Sequence, residues 1–213
     1  VIDGEATGIA IGSSGKPKVT IVRASGEKIV LEPDFIAIAT GINFPRNVAM
    51  GKKPIFSSLK KINPGFIPPK VRRALIFELV PGRDYLKKYM NKEIYFIVSG
   101  SGELRLDHIS LVPKKDCLTV ALVGESIDKA SFPEDTSGII ESFFSLSPIR
   151  TILPCLTPVN TPIACNCSPY MVAYPSKNAI CDRISVVGDA LGSRLYRDGI
   201  FSAFVTAEAL ART

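Results

Sequence analysis

The sequence predicts a mixed α/β (α+β) protein dominated by antiparallel strands. Three observations carry that expectation. The first forty residues alternate in character between Gly-rich tips, two continuous apolar runs end in small residues at Gly41 and Ala190, and four strand-like runs lie between them. The 213-residue chain is 46% hydrophobic and 22% charged, with 16 Gly and 16 Pro, a composition that excludes a disordered segment. A chain of roughly 150 residues already buries about 70% of its unfolded surface, so one large domain or two small ones can close a core here.

Taken in order, Thr7 to Ile11, Lys18 to Arg23 and Lys28 to Leu31 form a meander whose tips are Gly12-Ser13-Ser14-Gly15 and Ser25-Gly26. Asp34 to Gly41 reads as a strand buried on both faces. Between Asn43 and Pro69 the periodicity disappears and five prolines, Pro54 among them, predict a loop or crossover. Arg73 to Val80, Ile94 to Ser99, Leu104 to Val112 and Leu118 to Val123 predict an antiparallel sheet. Ser131 or Asp135 caps a helix to about Leu146, with Ile139, Ile140, Phe143 and Phe144 on one face, ended by Pro148 and Pro154. A Pro- and Cys-rich connection then runs to Pro175, Arg183 to Asp189 is a second apolar strand, and a helix from about Gly199 to Leu210 sets Ala203 and Ala207 one turn apart for close packing.

Charge is uneven. Twelve Lys and Arg fall between Arg46 and Lys92 against Glu78 and Asp84 alone, so that stretch carries about +10 and the rest about −4 of the formal +6. Such a run suits a solvated face or an anionic partner such as a lipid surface. Nucleic acid is not expected, because no aromatics interleave the basic residues and no zinc-finger or basic-zipper spacing occurs. No apolar stretch approaches the roughly 20 residues of a spanning helix, and the N-terminus lacks a signal-peptide pattern. Five cysteines are an odd number at low density, which suits a reducing compartment. A cytoplasmic location is expected, with peripheral contact to anionic lipid as an addition to it.

Several familiar motifs fail on inspection. Gly15-Lys16 is followed by Pro17 where a P-loop needs Ser or Thr, and Gly100-Ser101-Gly102 meets Arg105 where a third glycine belongs. His108, the single histidine, reads as a strand residue rather than a catalytic base. Cys155, Cys165, Cys167 and Cys181 match no common metal-ligand spacing, and no metal is expected. The Cys165/Cys167 pair stays open between a structural role and a redox or substrate-facing one, and Cys117 is expected in the core.

The two strand ends are the informative features. Ile36-Ala37-Ile38-Ala39-Thr40-Gly41, after a three-strand meander, resembles the Ala-Thr-Gly element of FAD-dependent oxidoreductases. Ser185-Val186-Val187-Gly188-Asp189-Ala190, followed by Asp198-Gly199-Ile200 and a small-residue helix, resembles their second FAD signature. The order matches the geranylgeranyl reductase and group A flavin monooxygenase branches, with an antiparallel substrate-domain segment between the two elements. The resemblance covers nearly the whole chain in layout and is specific in the strand ends and the last helix.

The resemblance implies a partial FAD/NAD(P)-binding Rossmann-like domain with a β-meander, plus an antiparallel-sheet substrate domain. It places residues 1–44 in the first part of the FAD-binding domain, 45–150 in the substrate domain, and 151–213 back in the FAD-binding domain. It implies FAD as cofactor, NAD(P)H as a candidate electron donor, and reduction or hydroxylation of a small organic, lipid-like substrate. Gly188, Asp189, Ala190, Gly199 and Ile200 would contact the flavin, with the Asp189 carboxylate accepting from a ribityl hydroxyl and the helix N-terminus facing the pyrimidine edge. Thr40 and Gly41 would take the adenosine side, where a small residue avoids a clash. Arg194 and Arg197 are candidates for substrate or pyrophosphate, and no side chain is singled out as acid or base. The Gly-x-Gly-x-x-Gly unit of the family is missing, so the chain is expected to be the C-terminal two-thirds of such a protein. The rival expectation is a non-catalytic module that docks an anionic surface through its 46–92 segment.

Overall fold

The computed structural model describes residues 1–42, 53–98, 104–192 and 199–212. The chain divides into two compact units, Val1–Val71 with Met171–Thr213, and Arg72–Tyr170.

In the first unit β1 (Glu5–Ile11), β2 (Pro17–Val22) and β3 (Lys28–Leu31) pair antiparallel in that order. Gly15 and Gly26, at φ of 78° and 84°, make the left-handed tips that the sequence marks as turns. β4 (Ile36–Ile38) joins a second sheet beside strands from the C-terminal part of the chain, considered with the site below. α1 (Pro54–Ile62) buries Ile55, Phe56 and Leu59 against Ile9, Ile38 and Phe66, with the rings of Phe56 and Phe66 5.7 Å apart. This helix corrects the loop expected from 43 to 69. Pro54 stands in its first turn, where the missing N–H has no acceptor to lose, so the proline starts the helix rather than breaking it. Residues 43–52 lie outside the described residues.

The second unit is built on a sheet of β5 (Lys70–Leu79), β8 (Leu118–Val123), β7 (His108–Pro113) and β6 (Tyr95–Val98), neighbours in that order and antiparallel throughout. α2 (Arg83–Tyr89) lies between β5 and β6 in sequence, and α3 (Glu125–Lys129) follows β8. β5 also pairs, antiparallel, with β9 (Ile163–Cys167) in the stretch read as an irregular connection, and neighbours β10 (Tyr170–Tyr174). All five residues of β9 are exposed, so it has no buried face to impose an alternating pattern on its sequence.

One face of the sheet, Leu75, Phe77 and Leu79 with Ile109, Leu111, Val120 and Leu122, is covered by α4 (Thr136–Ser145). Ile139, Ile140, Phe143 and Phe144 point inward as their spacing predicts, and Phe143 meets Phe77 edge to face at 5.4 Å. Pro148 does not merely end α4: it stands in the first turn of the next helix, α5 (Ser147–Ile152). Arg72 ties this unit together by bridging Asp107 and Asp128. Among the described residues no helix is long and apolar enough to cross a membrane.

Candidate functional site

β12 (Ile184–Val186) runs parallel to β4, with Ile184 opposite Ile36, Ser185 opposite Ala37 and Val186 opposite Ile38, and β11 (Ile180–Cys181) pairs with its far side. Ile38, Ile184 and Val186 are buried in the first unit's core, which fixes the register. The Ile36 N–H donates to the Arg183 carbonyl at 2.9 Å and the Val187 N–H to that of Ile38 at 3.0 Å. Two runs about 145 residues apart in sequence therefore lie side by side and point the same way, a parallel arrangement whose strands leave their sheet at one edge. In open α/β sheets that carboxyl edge is where ligands bind.

Thr40 is exposed there, and Gly41 adopts φ 65°. Among the described residues a Cβ on Gly41 would meet nothing within 4 Å, so it is the left-handed backbone that favours glycine at this position.

The other strand end is tied down more firmly. Gly188 takes φ 64°, and its carbonyl accepts from the Leu191 and Gly192 N–H groups, each at 2.9 Å, to form a short 3-10 turn over Gly188–Ala190. α6 (Gly199–Ala211) packs on this turn: a Cβ at Gly188 would lie 3.6 Å from the Ala203 Cβ, and the Gly188 N–H donates to Thr206 Oγ1 at 3.0 Å. The Thr206 hydroxyl in turn donates to the Ser202 carbonyl at 2.7 Å. The covered stripe of α6 is thus Ser202, Ala203, Thr206 and Leu210, and the expectation that Ala207 joins Ala203 in close packing is corrected, since Ala207 is exposed. Thr206 was not among the expected residues. A helical spacing shared with Ala203 places it on the same face but does not by itself mark it out.

Asp189 is the least ordinary group. Its Oδ1 is buried and finds no hydrogen-bond partner among the described residues. A Cβ on Gly199 would sit 3.4 and 3.6 Å from the two Asp189 carboxylate oxygens, so the acid lies against the first turn of the 13-residue α6. The first amides of a helix have no acceptor within it and form its positive end, which favours a carboxylate at this place. A buried oxygen left unsatisfied still costs on the order of 1–3 kcal/mol, a cost removed by any donor that reaches it. Ala190 is fully buried in the core and Ile200 is 90% exposed. Thr40 and Gly41 on β4's exit, and Gly188, Asp189 and Gly199 on the other, are therefore brought to two neighbouring strand ends. Arg194, Arg197 and Asp198 lie outside the described residues, as do Gly100, Ser101 and Gly102.

In the second unit the sheet face opposite the core carries Phe96, Ser110, Ala121, Ile76 and Cys167 in one cross-strand row, with Thr119, Glu78 and Cys165 in the next. Lys114 and the Thr119 hydroxyl both bond Glu78, and the Lys114 bond holds its carboxyl below the ordinary range. Cys165 and Cys167 are exposed residues, and desolvation of the Cys167 sulfur by its surroundings, with Cys165 beside it, pushes that thiol up, which keeps it protonated at neutral pH. Cys117 is half-buried at the turn before β8 rather than in the core. Among the described residues no three His, Cys, Asp or Glu side chains gather to hold a metal ion.

No family model matches the chain, and no curated protein matches it either. Solved structures do. The flavin-dependent halogenase CmlS superposes with a TM-score of 0.63 at 18% identity, over 97% of this chain and 34% of its own. The flavin-dependent monooxygenase PieE, solved with FAD and substrate, gives 0.62 at 13%, over 96% of this chain and 32% of its own. The p-nitrophenol 4-monooxygenase PnpA from Pseudomonas putida gives 0.60 at 16%, over 98% and 47%. The chain spans between a third and a half of the length of these proteins. Its mixed α/β fold with antiparallel sheets is, over that part of their length, the fold of flavin-dependent halogenases and monooxygenases.

Proposed function

We propose that the protein is an FAD-dependent oxidoreductase of the monooxygenase type, and that this chain supplies flavin-contacting strand ends and a substrate-contacting sheet. The observation that carries the reading is Asp189 Oδ1, buried and partnerless among the described residues, between left-handed Gly188 and the N-terminus of α6. An ionised carboxylate only accepts, so this atom requires a donor that the described residues do not provide, and a ribityl hydroxyl is such a donor. The positive end of α6 favours negative charge beside Gly199 and Ile200, which suits the pyrimidine edge of a flavin. Gly41, without a side chain, and exposed Thr40 next to it suit the adenosine side.

Bound flavin supplies the redox chemistry, while the chain binds and orients it. On the sheet face opposite the second unit's core, exposed Phe96 and half-buried Ile76 and Thr119 mix apolar side chains with a hydroxyl, a surface suited to a small organic molecule with few polar groups, while the Ser110 hydroxyl beside Phe96 is buried. The likeness to PnpA, whose name specifies p-nitrophenol, and to CmlS and PieE supports hydroxylation or a related oxidation in preference to alkene reduction.

FAD titration followed by flavin fluorescence tests the reading, on this chain and on one extended N-terminally toward the length of those relatives. Asp189→Ala removes a hydrogen bond to a charged group, worth about 1.5–3 kcal/mol, so FAD affinity is expected to fall tenfold or more. Unchanged affinity in Asp189→Ala would overturn the assignment.

A further inference from the structure

A cleft of about 480 Å3 opens in the second unit where the turn after α2 meets the end of β7. Five cationic side chains line it, Arg83, Lys87, Lys92, Lys114 and Lys115, and no carboxylate does. Lys114 is held by Glu78, whereas the other four have no ion-pair partner among the described residues. Buried Leu86 belongs to the lining, so the cations ring a partly apolar floor rather than stand on a flat solvated face. The turn that presents Lys92 is held in place. Asn91 and Lys92 are both left-handed, at φ of 42° and 64°, and the Asn91 N–H donates to the Leu86 carbonyl at 3.1 Å. Exposed lysines normally sit among carboxylates that lower the local potential, and gathering four unpaired cations around one concavity raises it instead. The volume lies within the roughly 300–1,000 Å3 of small-molecule sites.

We propose that this cleft binds a small soluble molecule through its diphosphate group. A single phosphate engages two cations at most, whereas a diphosphate presents enough charged oxygens for Arg83, whose planar fork matches them, and for the three lysines around it. A membrane surface meets convex basic patches and does not enter a concavity, which favours a small ligand over a lipid bilayer. The site is separate from the Gly188–Asp189 turn and does not depend on the reading of that turn.

Isothermal titration of this chain with inorganic pyrophosphate tests the proposal. Saturable one-to-one binding is expected, weakened by added salt and roughly tenfold weaker in Lys87→Ala/Lys92→Ala. Lys60→Ala/Lys61→Ala, which removes two charges from the end of α1, is expected to bind as the parent does. All four side chains are exposed, so circular dichroism of both variants is expected to be unchanged. Absence of saturable binding, or equal weakening in the two variants, overturns the site. So does flotation on phosphatidylserine vesicles that requires Lys87 and Lys92 and that pyrophosphate does not displace. ADP distinguishes the source: tighter binding than pyrophosphate supports a nucleotide in the cleft, and weaker binding supports free diphosphate there.

Discussion

Single side chains on this fold carry opposite kinds of strain, and His108 shows how one can be read out. It opens β7 at 9% exposure, its ring 5.8 Å from that of Phe96, and burial holds its pKa below the ordinary 6.5 although neighbouring Asp107 pulls the other way. The folded protein therefore prefers the neutral imidazole. Above about pH 6.5 both folded and unfolded chains are neutral at this residue and it adds no pH dependence. As pH falls below that value the unfolded chain takes up the proton first, so stability declines until the folded pKa is passed. Glu32, Asp34, Glu78 and Glu125 act in a separate window: hydrogen bonds from Ser14, Lys16, Lys114 and Lys129 respectively lower them, and what they contribute is lost below about pH 4.5. Urea denaturation at pH 7.5 and 5.5 is expected to show the parent losing stability over that interval, and His108→Gln losing distinctly less. An identical loss in the variant would place the pH dependence elsewhere.

At the scale of elements, α6 is held in an unusual way, for none of its residues is buried and Ile200, Phe201 and Phe204 are largely exposed. What fixes it to the candidate site is the Ala203 contact and the Gly188 N–H bond to Thr206. Thr206→Val keeps the shape and the β-branch but removes the acceptor, at an expected cost of about 1–2 kcal/mol. Faster amide exchange at Gly188 and weaker FAD binding are the expected outcomes, with Thr206→Ser restoring both. Unaltered exchange at Gly188 in the valine variant would show that the bond holds nothing.

How much of this was legible follows the same logic of what each residue buries. The meander, β8 and α4 stand close to where their patterns put them, because an alternating or 3.6-residue apolar period reports a buried face directly. α6 keeps its expected bounds without burying a face, and β4 is confined to Ile36–Ile38 with Ala37 exposed rather than buried on both faces. α1 and α5 were hidden by prolines that open helices, although Ile55, Phe56 and Leu59 carry the period. β9 left no pattern because both its faces are exposed. At the site, the positions of Gly41, Gly188 and Asp189 just past two strand ends were legible. Thr206 was not, since a hydroxyl that caps a turn from a distant helix looks in sequence like any other helical threonine.

At the scale of the whole molecule, buried apolar residues among those described form two core clusters that share no member. Leu59, Phe56, Phe66 and Val186 belong to one, all within the first unit, and Phe77, Phe143, Leu111 and Leu122 to the other, all within the second. Interiors are close-packed, so a cavity is felt first by the atoms that line it. Phe143→Ala empties a site that is fully buried beneath the sheet, at an expected cost of about 3–5 kcal/mol, and Leu59→Ala does the same under β1 for about 2–5 kcal/mol. Either is a large share of the roughly 5–15 kcal/mol that holds a typical domain folded. Hydrogen exchange is therefore expected to separate the two. Phe143→Ala should expose the β7 and β8 amides while the β1–β2 ladder keeps its protection, and Leu59→Ala should do the reverse. Protection lost equally from both units in either variant would mean that the two cores unfold as one cooperative block. The basic cleft and the Gly188–Asp189 turn would then share one stability, and ligand binding at one would protect the other. If the losses stay local, each site rests on its own core, and saturating FAD should slow exchange at Val186 and Gly188 while leaving the amides of β7 as they were.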